Sequence, residues 1–131
     1  MVQRRLAAAA LLLLAACTGE TPPVNDANDA SAAPSGPMAE AVRSARADLA
    51  GRLDVPEARV EILDQRWVTW PDGAMGCPEP GMMYTQALVP GVWIRLSVDG
   101  VEHVYHGRRG AEPFHCPADR ASPPPESDPL A

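Results

Sequence analysis

The sequence predicts an α+β domain in which one N-terminal helix packs on one face of an antiparallel sheet of about four strands, stapled by one disulfide. Three observations support this class. Apolar residues recur at helical spacing over residues 38–53. Runs of alternating polarity follow, with an Asp-Gly turn between two of them. Two cysteines remain for pairing outside the N-terminal segment. A helix followed by consecutive strands is typical of α+β domains.

The helix is expected to begin at Pro37, because proline suits the first helical position. It should end before Val55-Pro56, since the residue that precedes a proline is biased away from helical conformation. Its apolar residues are spaced to share one face: Met38, Val42, Ala45, Leu49 and Leu53.

Four strand-like segments follow the helix. The first, residues 60–70, alternates at its start and loses the alternation around residues 63–66, where we expect a bulge. The others are residues 82–89, 92–98 and 101–106. Asp99-Gly100 predicts a tight hairpin between the last two. Pro90-Gly91 should turn between the second and third, in a type II geometry that fits a hairpin less well and allows the register to slip.

The Asp99-Gly100 hairpin predicts which side chains share a face. Pairing Val98 with Val101 places Leu96 opposite His103 and Ile94 opposite Tyr105, on the face that the helix covers. The outer face then carries Trp93, Arg95 and Ser97 beside Glu102, Val104 and His106, and it gains Tyr84, Gln86 and Leu88 if Val89 pairs with Val92. This composition resembles a binding surface. The alternative is an ordinary solvated face with cross-strand pairs such as Arg95 with Glu102.

The segment WPDGAMGCPEPGMMY, residues 70–84, predicts a rigid loop rather than a simple connector. Cys77 can pair with Cys116, and that bond would contribute up to about 4 kcal/mol by closing a long loop. Two free thiols or a metal site are the alternatives. A rigid loop that bears Met75, Glu79, Met82 and Met83 is preorganised for contact with another protein, as in protease inhibitors. The methionines could instead bind Cu(I) or fill the core.

These patterns give a candidate binding surface from the loop and the outer face: Trp70, Asp72, Glu79, Tyr84, Gln86, Trp93, Arg95 and His106. No catalytic residue, metal or cofactor is predicted, because no nucleophile, base and orienting group occur at recognisable spacing. His103 and His106 should point to opposite faces of a strand, and His115 has no evident third ligand beside Cys116. An enzyme or redox protein that uses His106 with Asp72 or Cys77 is the alternative.

The chain begins with export-signal anatomy. Arg4-Arg5 precede an apolar run over residues 6–14, which is too short to span a bilayer. The following stretch LAAC, residues 14–17, closely resembles the lipobox of bacterial lipoproteins. The resemblance implies cleavage before Cys17, a diacylglyceryl group on its sulfur and a further acyl chain such as palmitate, which together anchor stably. An ordinary secretory signal is the alternative.

Residues 17–37 then predict a lipidated cysteine and a disordered tether, residues 38–116 the domain, and residues 117–131 a disordered tail. Thr18 after Cys17 favours the periplasmic side of the outer membrane, with the inner membrane and the cell surface as alternatives. Removing residues 1–16 takes away two basic residues and no acidic one, so the formal net charge goes from −6 to −8. Such a chain is a poor candidate for binding nucleic acid, whereas an envelope protein is a plausible partner.

The pieces ARADLAGRL at 45–53, VTWPDGAMGCPEPGMMYTQ at 68–86, VPG at 89–91 and YH at 105–106 resemble a group of small uncharacterised secreted domains and lipoproteins of bacteria. The resemblance covers most of residues 45–116. It implies one folded domain and transfers no catalytic residue. We therefore expect a non-catalytic binding or accessory module of the cell envelope. The alternatives are a protease-inhibitor-like module that presents loop 70–84 and a redox or metal-binding protein.

Overall fold

The computed structural model describes residues 35–125. The predicted signal peptide, Cys17, the tether up to residue 34 and residues 126–131 of the predicted tail lie outside the described residues. The described chain forms α1 (Pro37–Leu53), a short 3-10 turn (Glu57–Arg59), β1 (Glu61–Trp70), β2 (Val89–Val98), β3 (Val101–Arg108) and β4 (Phe114–Cys116).

The four strands form one antiparallel sheet in the order β1-β2-β3-β4, and α1 packs against it. This confirms the predicted fold class. The helix begins at Pro37 and ends at Leu53, as its sequence signals indicated. Val42, Ala45 and Leu49 are buried on its inner face, because their spacing brings them to one side of the helix.

The predicted hairpin between β2 and β3 is also confirmed. Val98 pairs with Val101, Leu96 with His103 and Ile94 with Tyr105. Asp99 and Gly100 have φ of 50° and 79°, and two positive φ values are what a type I′ turn requires. The turn therefore fixes which residues of both strands face the helix.

The predicted strand over residues 82–89 and the predicted turn at Pro90-Gly91 are wrong. Residues 71–88 form a long loop, and β2 runs straight through Pro90 and Gly91 to pair with β1. The physical reason is the environment of Gly91: a Cβ there would lie 2.2 Å from the Gly107 carbonyl oxygen and 2.6 Å from the Trp70 ring. Glycine is needed for close packing in a strand, not for a turn.

The predicted irregularity in β1 is confirmed, since the β1–β2 register shifts between Ile62 and Asp64. This bulge leaves Leu63 without a partner in the ladder and exposed. Beyond the bulge, Val68 and Trp70 are buried, whereas Ile62 before it is exposed. Only the second half of β1 therefore contributes to the interior.

Two apolar clusters lie on opposite faces of the sheet. The cluster under α1 joins the helix to Val92, Ile94, Leu96, Val98 and Tyr105. The cluster on the other face contains Val68, Trp70, Val89 and Trp93, with Met75 of the loop packed against it. The helix thus covers one face of the sheet, and residues 71–88 cover the part of the other face around this second cluster. We call residues 71–88 the covering loop.

The residues beyond β3 form a fourth strand, β4, that the sequence patterns did not predict. β4 pairs with β3 through Val104 with Cys116, Tyr105 with His115 and His106 with Phe114. Residues 117–125 then continue over the covering loop, where the Ser122 amide donates to the Gly76 carbonyl oxygen at 2.8 Å. Pro124 is buried, so the packed part of the chain extends beyond Cys116.

Candidate functional site

The covering loop is tied to the sheet by a disulfide between Cys77 and Cys116, whose sulfurs are 2.05 Å apart. Both cysteines are buried. The predicted pairing is confirmed, and neither sulfur is present as a thiol nucleophile or metal ligand. The bond joins the start of the loop to the edge strand β4, which holds the loop against the sheet.

Beneath the loop, Trp70 and His106 stack with ring centroids 4.7 Å apart and planes inclined by 18°. The Trp70 indole donates to the Gly107 carbonyl oxygen at 3.2 Å. Gly76 closes over this stack: a Cβ there would lie 2.5 Å from the Trp70 ring and 3.1 Å from His106 Nδ1. The glycine therefore allows the loop backbone to lie directly on the ring, which accounts for part of the composition of residues 70–84.

His106 links the loop to the sheet through its side chain. Its Nδ1 lies 2.7 Å from the Met75 carbonyl oxygen, and it must carry the proton because that oxygen can only accept. Nε2 is buried and has no partner among residues 35–125. Burial lowers the pKa of His106 below its ordinary value, although the hydrogen bond to Met75 opposes this shift. The ring thus bonds to the loop backbone at Met75 and not to Asp72, and Cys77 is held in the disulfide.

Trp93 is buried beside the loop under two arginines. The guanidinium carbon of Arg66 lies 4.5 Å from the Trp93 ring centroid, and that of Arg95 lies 5.6 Å from it. Arg95 also donates to both carboxylate oxygens of Glu102 at 2.8 and 2.7 Å, which lowers the pKa of Glu102. The predicted Arg95–Glu102 pair is therefore formed on the part of the outer face that stays open.

The outer side of the covering loop is held by its own hydrogen bonds. The Glu79 amide donates to the Tyr84 hydroxyl at 2.8 Å, and the Gly73 amide donates to the Thr85 carbonyl oxygen at 2.8 Å. Asp72 caps the turn by accepting from the Ala74 amide at 2.9 Å. The loop backbone is thereby fixed between its disulfide and β2.

Three large apolar side chains project from this fixed loop. Met82 is 58% exposed, Met83 96% and Leu88 72%. Met83 and Leu88 line one shallow recess with Tyr84 and Arg108, so they lie on the same part of the surface. We call Met82, Met83 and Leu88 the apolar tip.

The eight residues of the predicted binding surface are thus divided by the fold. Trp70 and His106 are buried under the loop and Trp93 is buried under Arg66 and Arg95. The remaining five lie on the exposed or half-buried side of the loop or sheet: Asp72, Glu79, Tyr84, Gln86 and Arg95. The apolar tip contains the most exposed apolar side chains of the loop. The sequence predicted Met82 and Met83 as loop residues and placed Leu88 on the outer face of the sheet instead.

A cluster of polar side chains lies on the helix side of β3 and β4. The Tyr105 hydroxyl donates to the Asp48 carboxylate at 2.6 Å, and Arg52 pairs with the same carboxylate. Burial alone would raise the pKa of Asp48, but the hydrogen bonds from Tyr105 and Arg52 outweigh it and lower the pKa. The Tyr105 pKa is raised, mainly by burial. His115 lies edge-on against the Tyr105 ring, with centroids 5.4 Å apart.

A groove of about 520 Å³ runs between the start of α1 and residues 110–113. Trp67 lines it, with the Arg109 guanidinium 4.6 Å from the Trp67 ring centroid. Its lining carries Glu40 and Glu112 as well as Arg43 and Arg108, so its charges do not favour an ion of either sign.

A family model for a domain of unknown function, DUF8738, matches residues 42–116. This match spans more than half of the 131-residue chain. The chain belongs to the DUF8738 family. No curated protein and no solved structure matches the chain.

The DUF8738 match begins within α1 and ends at Cys116. It therefore includes the sheet, the covering loop and both halves of the disulfide, which agrees with the expectation of a small uncharacterised domain over this region. Within residues 35–125, no helix is long and apolar enough to cross a membrane, and no cluster of three or more potential metal-binding side chains occurs.

Proposed function

We propose that the chain is a lipid-anchored, non-catalytic module of the cell envelope whose DUF8738 domain binds another envelope protein through the apolar tip. The observation that carries this proposal is the exposure of Met82, Met83 and Leu88 on a loop whose backbone is fixed. A small domain that needed only to cover its sheet would gain nothing from placing these side chains in water.

The energetics of association favour this surface. Burying one such side chain is worth roughly 1.5–3 kcal/mol, and most of that gain is realised when the loop is already ordered. The disulfide and the Glu79–Tyr84 hydrogen bond provide that order before a partner arrives. Methionine also adapts its shape to a partner surface, which suits it to a protein contact.

The sequence supports the location of this module. The stretch LAAC at residues 14–17 resembles a lipobox, and Thr18 after Cys17 favours transfer to the outer membrane. About twenty residues between Cys17 and α1 would hold the domain away from the lipid surface. Incorporation of labelled palmitate into the wild-type chain but not into Cys17→Ser tests the anchor, and equal labelling of both would refute it.

Site-specific photo-crosslinking in intact cells tests the binding surface. A photoreactive amino acid placed at Met83 should yield a defined cross-linked protein. The matched control is Val101, an apolar residue that is 59% exposed at the β2–β3 turn, outside the loop. Equal cross-linking from both positions, or none from Met83, would count against the apolar tip.

A protease-inhibitor-like module is the second candidate. It is favoured by Met83, which is 96% exposed on a loop tied by a disulfide, as the primary contact residue of an inhibitor loop must be. Inhibition of a serine protease with an apolar specificity pocket should then be lost in Met83→Asp. An absence of inhibition by the wild-type chain would eliminate this candidate and leave the first untouched.

A further inference from the structure

Two histidines meet on the helix-side face of the sheet, near its β4 edge. His103 lies in β3 and His115 in β4, at diagonal positions, because His115 pairs directly with Tyr105. We call them the histidine pair. Their rings are half-buried and therefore reachable from solvent.

The pair is spaced for a shared ion. His103 Nδ1 and His115 Nε2 face each other at 3.4 Å. At this distance the rings can share a long hydrogen bond whose donor depends on the tautomer, longer than the ~2.7–3.2 Å usual for N–H···O bonds. Two imidazole nitrogens bound to one tetrahedral metal ion at ~2.0–2.1 Å would be about 3.3–3.4 Å apart. The observed separation of 3.4 Å therefore also matches the distance between two ligands of one ion.

The surroundings hold the pair in place. The Tyr105 and His115 rings are inclined by 69° to each other, and Tyr105 is itself fixed by its bond to Asp48. Two charges on α1 act on His115: Arg52, whose repulsion of a cation is the larger effect, and Asp48, which pairs with Arg52 and attracts a cation less strongly. Burial lowers the pKa of His115 below its ordinary value.

We propose that His103 and His115 bind one divalent transition-metal ion of the Zn²⁺, Ni²⁺ or Cu²⁺ class, with water in the remaining coordination positions. Imidazole nitrogen suits these ions, and Cu²⁺ should bind more tightly than Zn²⁺. Because residues 35–125 contain no cluster of three or more potential metal ligands, the site has open positions and is not a closed structural centre. The proposal is independent of the partner-binding function proposed for the apolar tip.

The test uses the full chain without a histidine tag and with Cys17→Ser, since Cys77 and Cys116 are already joined and Cys17 would otherwise be the single free thiol. We would titrate the chain with Zn²⁺ and record nitrogen NMR spectra of the histidine rings. The signals of His103 and His115 should shift together, and the shifts should be complete at one equivalent of Zn²⁺. The signals of buried His106 should not move. A lack of shift in the pair at saturating Zn²⁺ would overturn the proposal.

Variants provide a second measurement. His103→Ala and His115→Ala should each weaken Zn²⁺ binding by at least about tenfold in a competition assay with a chelating dye, because each leaves a single ligand. An unchanged Cys77–Cys116 bond and circular dichroism spectrum establish that each variant is folded. If either variant bound Zn²⁺ as tightly as the parent, the shared site would be wrong.

Discussion

Replacing Gly76 with alanine tests whether the covering loop lies directly on the Trp70 ring. Gly76 has φ +72°, and a Cβ there would be 2.5 Å from the ring and 2.9 Å from the Ser122 carbonyl oxygen. A left-handed alanine costs about 1–2 kcal/mol. Forcing a methyl group into packed atoms costs a further ~1–3 kcal/mol. The free energy of unfolding should therefore fall by about 2–5 kcal/mol.

Gly81→Ala is the matched control within the same loop. Gly81 has φ +79°, and a Cβ there would meet nothing within 4 Å. Only the conformational cost of about 1–2 kcal/mol applies to it. Urea unfolding followed by tryptophan fluorescence, with the disulfide intact, measures both variants. Equal losses in Gly76→Ala and Gly81→Ala would refute the contact between the loop backbone and Trp70.

Three further perturbations follow from the same contacts. Replacing Cys77 and Cys116 with serine removes the disulfide between two residues that are 39 apart in the sequence. Urea titration should show that the free energy of unfolding falls by about 4 kcal/mol. A decrease near zero would contradict the stabilising role of the disulfide. Burial lowers the pKa of His106 below 6.5, so the unfolded chain binds the proton first and stability should decrease as the pH falls below 6.5. His106→Gln should have a flatter stability–pH curve, and parallel curves would contradict this role. Tyr105→Phe removes the hydroxyl that donates a hydrogen bond to Asp48. The free energy of unfolding in urea should fall by only about 1 kcal/mol, because Asp48 is partly solvated. Unchanged stability would contradict a stabilising role for this hydrogen bond.

Local signals in the sequence predicted the parts of the fold that depend on neighbouring residues. Pro37 marks the start of the helix, and Pro56 lies just beyond its end. Asp99-Gly100 defines a turn with two positive φ values, which few other residues adopt. The pairing of Val98 with Val101 followed from that turn alone. The disulfide could be predicted from the number of cysteines, because only one pairing remains once Cys17 is set aside.

The parts that sequence reasoning missed depend on distant residues. Pro90-Gly91 has the local chemistry of a turn, but Gly91 is needed in a strand because the Trp70 ring and the Gly107 carbonyl leave no room for a side chain. Trp70, Trp93 and His106 were predicted to lie on the surface. Nothing local shows that the covering loop folds back over the Trp70–His106 stack or that two arginines cover Trp93.

The histidine pair was missed for a related reason. β4 has three residues, which is too short for a recognisable alternation, and its pairing with β3 brings His115 to His103. The alternation of β3 places His103 and His106 on opposite faces but gives no partner for His103. A prediction of β4 would have shown the diagonal placement.

The most direct test of the proposed function uses the partner protein that cross-links at Met83. Its affinity for the wild-type chain is compared with its affinity for the double variant Met83→Ser/Leu88→Ser. Losing two buried apolar contacts of roughly 1–2 kcal/mol each should weaken binding by about 30-fold or more. Val101→Ser, which changes an exposed apolar residue outside the loop, should bind as the wild type does. Equal affinity of the double variant and the wild type would contradict the apolar tip as the binding surface.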